Sequence, residues 1–283
     1  MAGTAEGWRE VGDRVFVRRH RSLDLNVGLV VGTGHCLVVD TRMSHRQGRE
    51  LAAAIRVITA HPWTVVNTHA HFDHYFGNAV FRPAEIWGHV RCAAAAREHG
   101  AAHRAIALRY ARAEDTDANA DALSEVEIDP PDRTFINTAT LDVGGRAVRL
   151  RHLGRGHTDN DVVVEVPDAA VVFAGDLVEE GAPPDFGDSF PLDWPSTVDG
   201  LLTLVRDVDG PVVPGHGDVV DLAFVATQGA KLAQVAELAR TAYAEGRTVD
   251  QSWPDLPYPE EPARDALTRA YHQLAATRRD DPV

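Results

Sequence analysis

Two stretches of this chain read as apolar hairpins that each close on an aspartate, and this repetition restricts the fold more than any other feature. In the first, residues 27–31 and 36–39 flank Gly32-Thr33-Gly34-His35 and end at Asp40. In the second, residues 162–166 and 170–174 flank Pro167-Asp168 and end at Gly175-Asp176. β-Branched runs separated by turn residues signal paired strands. After each hairpin come a helical stretch and another short strand. The first helix is marked by Leu51, Ala54, Ile55 and Ile58, and the strands by Val65-Val66 and Val212-Val213. Strands in two runs, each covered by helices, predict two packed sheets with helices outside, an α/β architecture.

The first of these units ends in the densest chemistry of the chain. Directly after Thr64-Val65-Val66-Asn67 comes Thr68-His69-Ala70-His71-Phe72-Asp73-His74. Three imidazoles and a carboxylate within six residues, at the end of a buried strand, are costly to bury unless something compensates them. A bound metal does so. Three further candidates stand in glycine-flanked turn contexts: His157 in Gly154-Arg155-Gly156-His157-Thr158, Asp176 after Gly175, and His216 in Pro214-Gly215-His216-Gly217. Glycine lets the backbone turn sharply beside such a group. The remaining histidines, among them His89, His99, His103 and His152, read as surface or core residues.

Composition excludes some classes. The net charge of −14 over 283 residues disfavours binding to nucleic-acid backbones and to anionic membranes. No stretch approaches the roughly 18 apolar residues of a membrane span. The first ten residues lack a basic-then-apolar leader pattern, so a cytoplasmic location is expected. Cys36 and Cys92 both neighbour apolar residues and read as small buried hydrophobes, not a disulfide or ligands. Residues 90–125 begin as a helix. The acidic stretch 114–121 reads as a surface excursion or lid. Residues 222–246 and 262–278 read as helices joined by an extended linker over 253–259, with Pro262 opening the second. The division expected is 1–220 for the main domain and 221–283 for a helical extension packed on it. Oligomeric state is not legible.

Asp40, His69-x-His71-x-Asp73-His74, Gly156-His157-Thr158, Gly175-Asp176 and Gly215-His216 together resemble the metallo-β-lactamase superfamily over about residues 15–220. The resemblance implies an αββα four-layer sandwich of two mixed β-sheets flanked by helices, with the metal site at one edge. It places His69, His71 and His157 on one metal and Asp73, His74 and His216 on a second, with Asp176 bridging. Asp40 would orient the ligand loop, and Thr158 is a candidate to fix His157. Such ligands suit two zinc ions per chain, with iron or manganese also compatible. Two divalent cations about 3.5–4 Å apart can share a water and lower its pKa toward neutrality. The resulting hydroxide would attack a thioester, ester, lactone or lactam carbonyl of a small-molecule substrate. Asp73 would orient it and pass a proton to the leaving group.

Asp at 176 looks more like the thioesterase, glyoxalase II and lactonase branches than the main lactamase group, which carries Cys there. Glyoxalase II itself fits poorly, because its basic glutathione-binding tail has no clear match. The alternatives are a β-lactamase-type lactam hydrolase and a mononuclear iron oxidoreductase of the persulfide dioxygenase kind. Phe186, Phe190 and Trp194 follow the bridge and are candidates for a pocket wall, with Ser196 as a candidate N-cap for the next helix.

Overall fold

The computed structural model describes residues 7–113 and 117–280. Seven strands form the first sheet in sequential order: β1 (Trp8–Gly12), β2 (Val15–Arg19), β3 (Asn26–Val31), β4 (Cys36–Val39), β5 (Trp63–Val66), β6 (Ile86–His89) and β7 (Arg133–Phe135). Pairing is antiparallel from β1 to β4 and parallel from β4 to β7. The second sheet comprises β8 (Thr138–Val143), β9 (Arg146–Arg151), β10 (Val163–Val166), β11 (Val171–Glu179) and β12 (Val212–His216). Its order is β12-β11-β10-β9-β8, and only β11 and β12 run parallel.

Alternation along the strands divides the core into layers. Val164, Val171 and Phe173 face Val15, Val30, Leu37 and Val66 between the sheets, while their neighbours Val163 and Val172 face outward onto helices. Such two-sided burial gives the continuous valine runs of β10 and β11. On the outer face of the first sheet lies α1 (His45–Ile58), capped by Ser44, which accepts from the Gln47 amide. Leu51 and Ile55 of α1 pack against Val38 and Val65. The second sheet is covered by α5 (Trp194–Val208), α6 (Leu222–Ala244) and α8 (Glu260–Asp280), which share one apolar cluster with β11. The result is the expected sandwich of two mixed sheets between helices, and each hairpin–helix–strand unit occurs as read.

Several local expectations are corrected. The excursion is not a bare loop. α3 (Val90–Ala113) and α4 (Asp117–Ser124) pack against the one-turn α2 (Phe72–Tyr75) through Ala107, Ala111, Leu123, Tyr75 and Phe76. Residues 114–116 of the acidic stretch lie outside the described residues. The linker over 253–259 is not wholly extended: a 3-10 turn spans Trp253–Asp255, following α7 (Val249–Ser252). α5 begins at Trp194, so Ser196 lies in its first turn and is not its cap. α8 starts two residues before Pro262. Cys36 and Cys92 are free and buried. No helix among the described residues is long and apolar enough to cross a membrane.

Candidate metal centre

The two similar units bring their strand ends to one edge of the sandwich. His69 and His71 leave the end of β5. Asp73 and His74 sit on α2, where a single helical turn points both side chains back toward the strand ends. His157 comes from the loop between β9 and β10. Asp176 lies within β11, which continues to Glu179; the turn expected there is a bulge in the β11–β12 pairing, with Gly175 at φ +55°. His216 is the last residue of β12 and not a loop residue.

All seven converge. One ligand atom each from His69, His71, His157 and Asp176 lies within 4.8 Å of the others, and the same holds for Asp73, His74 and His216. Asp176 joins the groups. Its Oδ2 is 3.4 Å from His157 Nε2, 3.6 Å from His69 Nε2 and 3.2 Å from His216 Nε2, and its Oδ1 is 3.3 Å from His74 Nε2. Asp73 Oδ2 is 3.5 Å from both His74 Nε2 and His216 Nε2. His69 Nε2, His74 Nε2 and Asp176 Oδ1 are buried without any hydrogen-bond partner. Orphaned polar atoms in a dry interior are expensive, and three of them aimed into one cavity fit a cation.

The electrostatics are those of an uncompensated ligand set. Burial lowers His69 well below the ordinary imidazole value, helped by the charge on His74, and burial also lowers His157. Burial acts the same way on His71 and His216, but carboxylates outweigh it. Asp188 raises His71 to about 9, and Asp176 with Asp73 raises His216 to about 10. His74 is likewise raised, by Asp176, Asp73 and Asp40 against burial. Burial favours the neutral acid at Asp176, yet His74, His216 and His69 hold it well below the carboxylate range. Glu179 is pushed up to about 8 by burial and by Asp176. Its Oε1 is 3.7 Å from His157 Nδ1.

Around the cluster the scaffold is strongly bonded. Asp40, held at φ +67°, accepts from Thr68 N and Thr68 Oγ1 at 2.8 Å each and faces His74 Nδ1 at 2.8 Å. It therefore holds the loop that carries the histidines. Thr158 does not bond His157: its amide and hydroxyl donate to Asp161, a local loop closure. Trp194 is fully buried edge-on to His157 and donates to the Leu177 carbonyl, and Phe186 packs on it. Phe190 alone of these three aromatics lines the adjoining cleft, about 260 Å³, which opens beside His71.

Four participants were not singled out in the sequence. Asp188 places both carboxylate oxygens 3.2 Å from His71 Nε2. Asn160 accepts from the Ala70 amide at 2.9 Å. His99 and His103 line the cleft from α3. Only the last pair carried a legible signal: Arg91, Ala95, His99 and His103 recur at four-residue spacing on one helix face.

The family model of the metallo-beta-lactamase superfamily matches residues 23–216, from the turn before β3 to the last histidine of the cluster. The chain belongs to the metallo-beta-lactamase superfamily. Among its relatives is a metallo-beta-lactamase type 2 of Bacillus cereus, 24% identical over 199 residues, which are 69% of this chain and 68% of that protein. A metallo-beta-lactamase from Pontibacter korlensis shares the fold, with a TM-score of 0.62 at 21% identity over 80% of this chain and 98% of that one. The sec-alkylsulfatase Pisa1 from Pseudomonas sp. superposes with a TM-score of 0.76 at 16% identity. That match spans 98% of this chain, C-terminal helices included, and 52% of the sulfatase. The superfamily match and the convergent histidines and aspartates make this protein a metal-dependent hydrolase.

Proposed function

We propose that the protein is a two-metal hydrolase acting on a carbonyl group of a small molecule, a thioester, ester, lactone or lactam. His69, His71 and His157 would hold one cation and Asp73, His74 and His216 the other, with Asp176 shared. The observation that carries this reading is the completeness of both ligand groups around one carboxylate. A one-iron oxidoreductase would leave the Asp73–His74–His216 group without a task. Imidazole and carboxylate donors without a thiolate suit zinc, with iron and manganese as alternatives. When bound, two divalent cations supply Lewis acidity, both to activate water at neutral pH and to stabilise developing negative charge.

The chain's own residues do the rest. Asp73, buried on α2, would accept a proton from the nucleophile and return it to the leaving group. The substrate's remainder enters the cleft beside His71, against Phe190 and the Ala94–Ala95 face of α3. Burial of Trp194 and Phe186 keeps the far wall dry, which strengthens electrostatic interactions within. Sulfate-ester hydrolysis is the second reading, favoured by the likeness to the sec-alkylsulfatase along nearly the whole chain.

The test is a panel of thioesters, lactones, β-lactams and a secondary alkyl sulfate, followed by His71→Ala and Asp176→Asn. Each variant is expected to abolish turnover of the accepted substrate with an unchanged far-UV circular dichroism spectrum. Full activity in either removes the site assignment.

A further inference from the structure

The 186–193 loop runs between the metal cavity and the C-terminal helices and is gripped from both sides. Toward the cavity, Asp188 meets His71 Nε2, leaving His71 Nδ1 to face the cluster, 2.8 Å from His157 Nε2. On the opposite side stands α8. Arg269 donates from Nε to the Ser189 carbonyl at 3.0 Å and from Nη2 to the Asp188 carbonyl at 2.8 Å. One turn further, Gln273 accepts from the Leu192 amide at 3.0 Å and donates to Asp193 Oδ2 at 3.2 Å. Arg240 of α6 adds a bond to the Leu192 carbonyl at 3.1 Å. Phe190 carries the guanidinium groups of Arg155 and Arg269 over its ring at 4.6 and 5.8 Å.

The loop belongs to neither sheet and makes few backbone bonds of its own. Between 186 and 193 these are Ser189 and Asp193 to nearby loop carbonyls, Phe190 to Gly156, and the Phe190 and Asp193 carbonyls accepting from Trp194 and Thr197 at the start of α5. The Asp188 side chain is 58% exposed, so packing does not hold it against His71. Its backbone carbonyl is held by Arg269, between the buried Phe186 and Ser189. All of these helix residues lie beyond residue 216, where the superfamily match ends.

We propose that α8 is a strap for the metal centre: Arg269 and Gln273 are positioning residues that hold Asp188 on His71 Nε2, so that His71 presents Nδ1 to a metal. The inference rests on the two-metal reading above. Its physical basis is general. A ligating imidazole whose other nitrogen donates to a carboxylate is fixed in orientation and made more basic, and loss of such a partner typically costs about 10–100-fold in metal affinity.

The experiment is zinc titration of the full-length, metal-stripped protein against a chromophoric chelator, for wild type, Asp188→Ala, Arg269→Met and Gln273→Leu. Asp188→Ala is expected to weaken one of the two zinc-binding steps by about tenfold or more. Arg269→Met should weaken the same step in the same direction. The other step and the melting temperature of the metal-free protein should stay as in wild type. If Arg269→Met does not fold, Gln273→Leu severs a different bond to the same loop and carries the test. Wild-type affinity at both steps in the helix variants overturns the strap, whatever happens to their melting temperatures. A wild type that takes up no zinc removes the metal-centre reading itself, which distinguishes the two failures.

Discussion

At the scale of single residues, Gly215 shows how closely the backbone approaches the shared carboxylate. A Cβ there would lie 1.7 Å from Asp176 Oδ1, so Gly215→Ala must displace either Asp176 or β12. The variant is expected to lose about tenfold or more in metal affinity, read by equilibrium dialysis. Unchanged metal binding would contradict the placement of Asp176 and the end of β12 at the metal centre. Protons compete with metal at the same cluster. Burial opposes charge on His71 and His216, but neighbouring carboxylates prevail and raise them to about 9 and 10. Both are therefore charged at pH 7 in the metal-free protein, and a metal must displace those protons. As pH rises toward 9–10 that cost disappears. Apparent metal affinity should thus increase with pH, by about tenfold per pH unit for each proton displaced. Calorimetry at pH 7 in two buffers of different ionisation enthalpy should show net proton release; none would contradict the charge assignment.

Among the elements, α8 carries a stripe of Ala263, Ala266, Leu267 and Ala270, all fully buried in the cluster shared with α5, α6 and β11. Leu267→Ala is expected to destabilise the protein by about 2–5 kcal/mol in denaturant unfolding. A loss below about 0.5 kcal/mol would mean that the helix is not docked in solution. The elements that were legible beforehand are those with strong local patterns: the valine hairpins, α1, α6 and most of α8. β7 was legible near Phe135, but β6 and β8 were not resolved as strands. β8 alternates polar and apolar residues with half its length in solvent. α4 was hidden in an acidic run because its buried contacts, such as Leu123 on α3, are tertiary. Ser196 looked like a cap, but Pro195 at the second helical position fits a start at Trp194.

For the molecule as a whole, one edge of a two-sheet sandwich gathers strand ends from two similar units, and that geometry assembles seven candidate ligands separated by up to 147 positions, His69 to His216. Their convergence could be anticipated because each stood beside a strand end or a glycine turn. Asp188 could not, and the four-residue spacing of His103 with Ala95 and His99 marks a helix face but not which way it points. Asp188 sits on an irregular loop whose path is set by α8, and His103 on a helix whose rotation is set by packing against α2. Substrate choice resides in these same less legible parts, since the motifs build the metal cavity and the loops shape the cleft. The most direct test of the central claim is metal content per chain, by elemental mass spectrometry on untagged protein purified without added metal. The account predicts about two metal ions per chain, zinc foremost. A single iron per chain, or no metal at all, would contradict it.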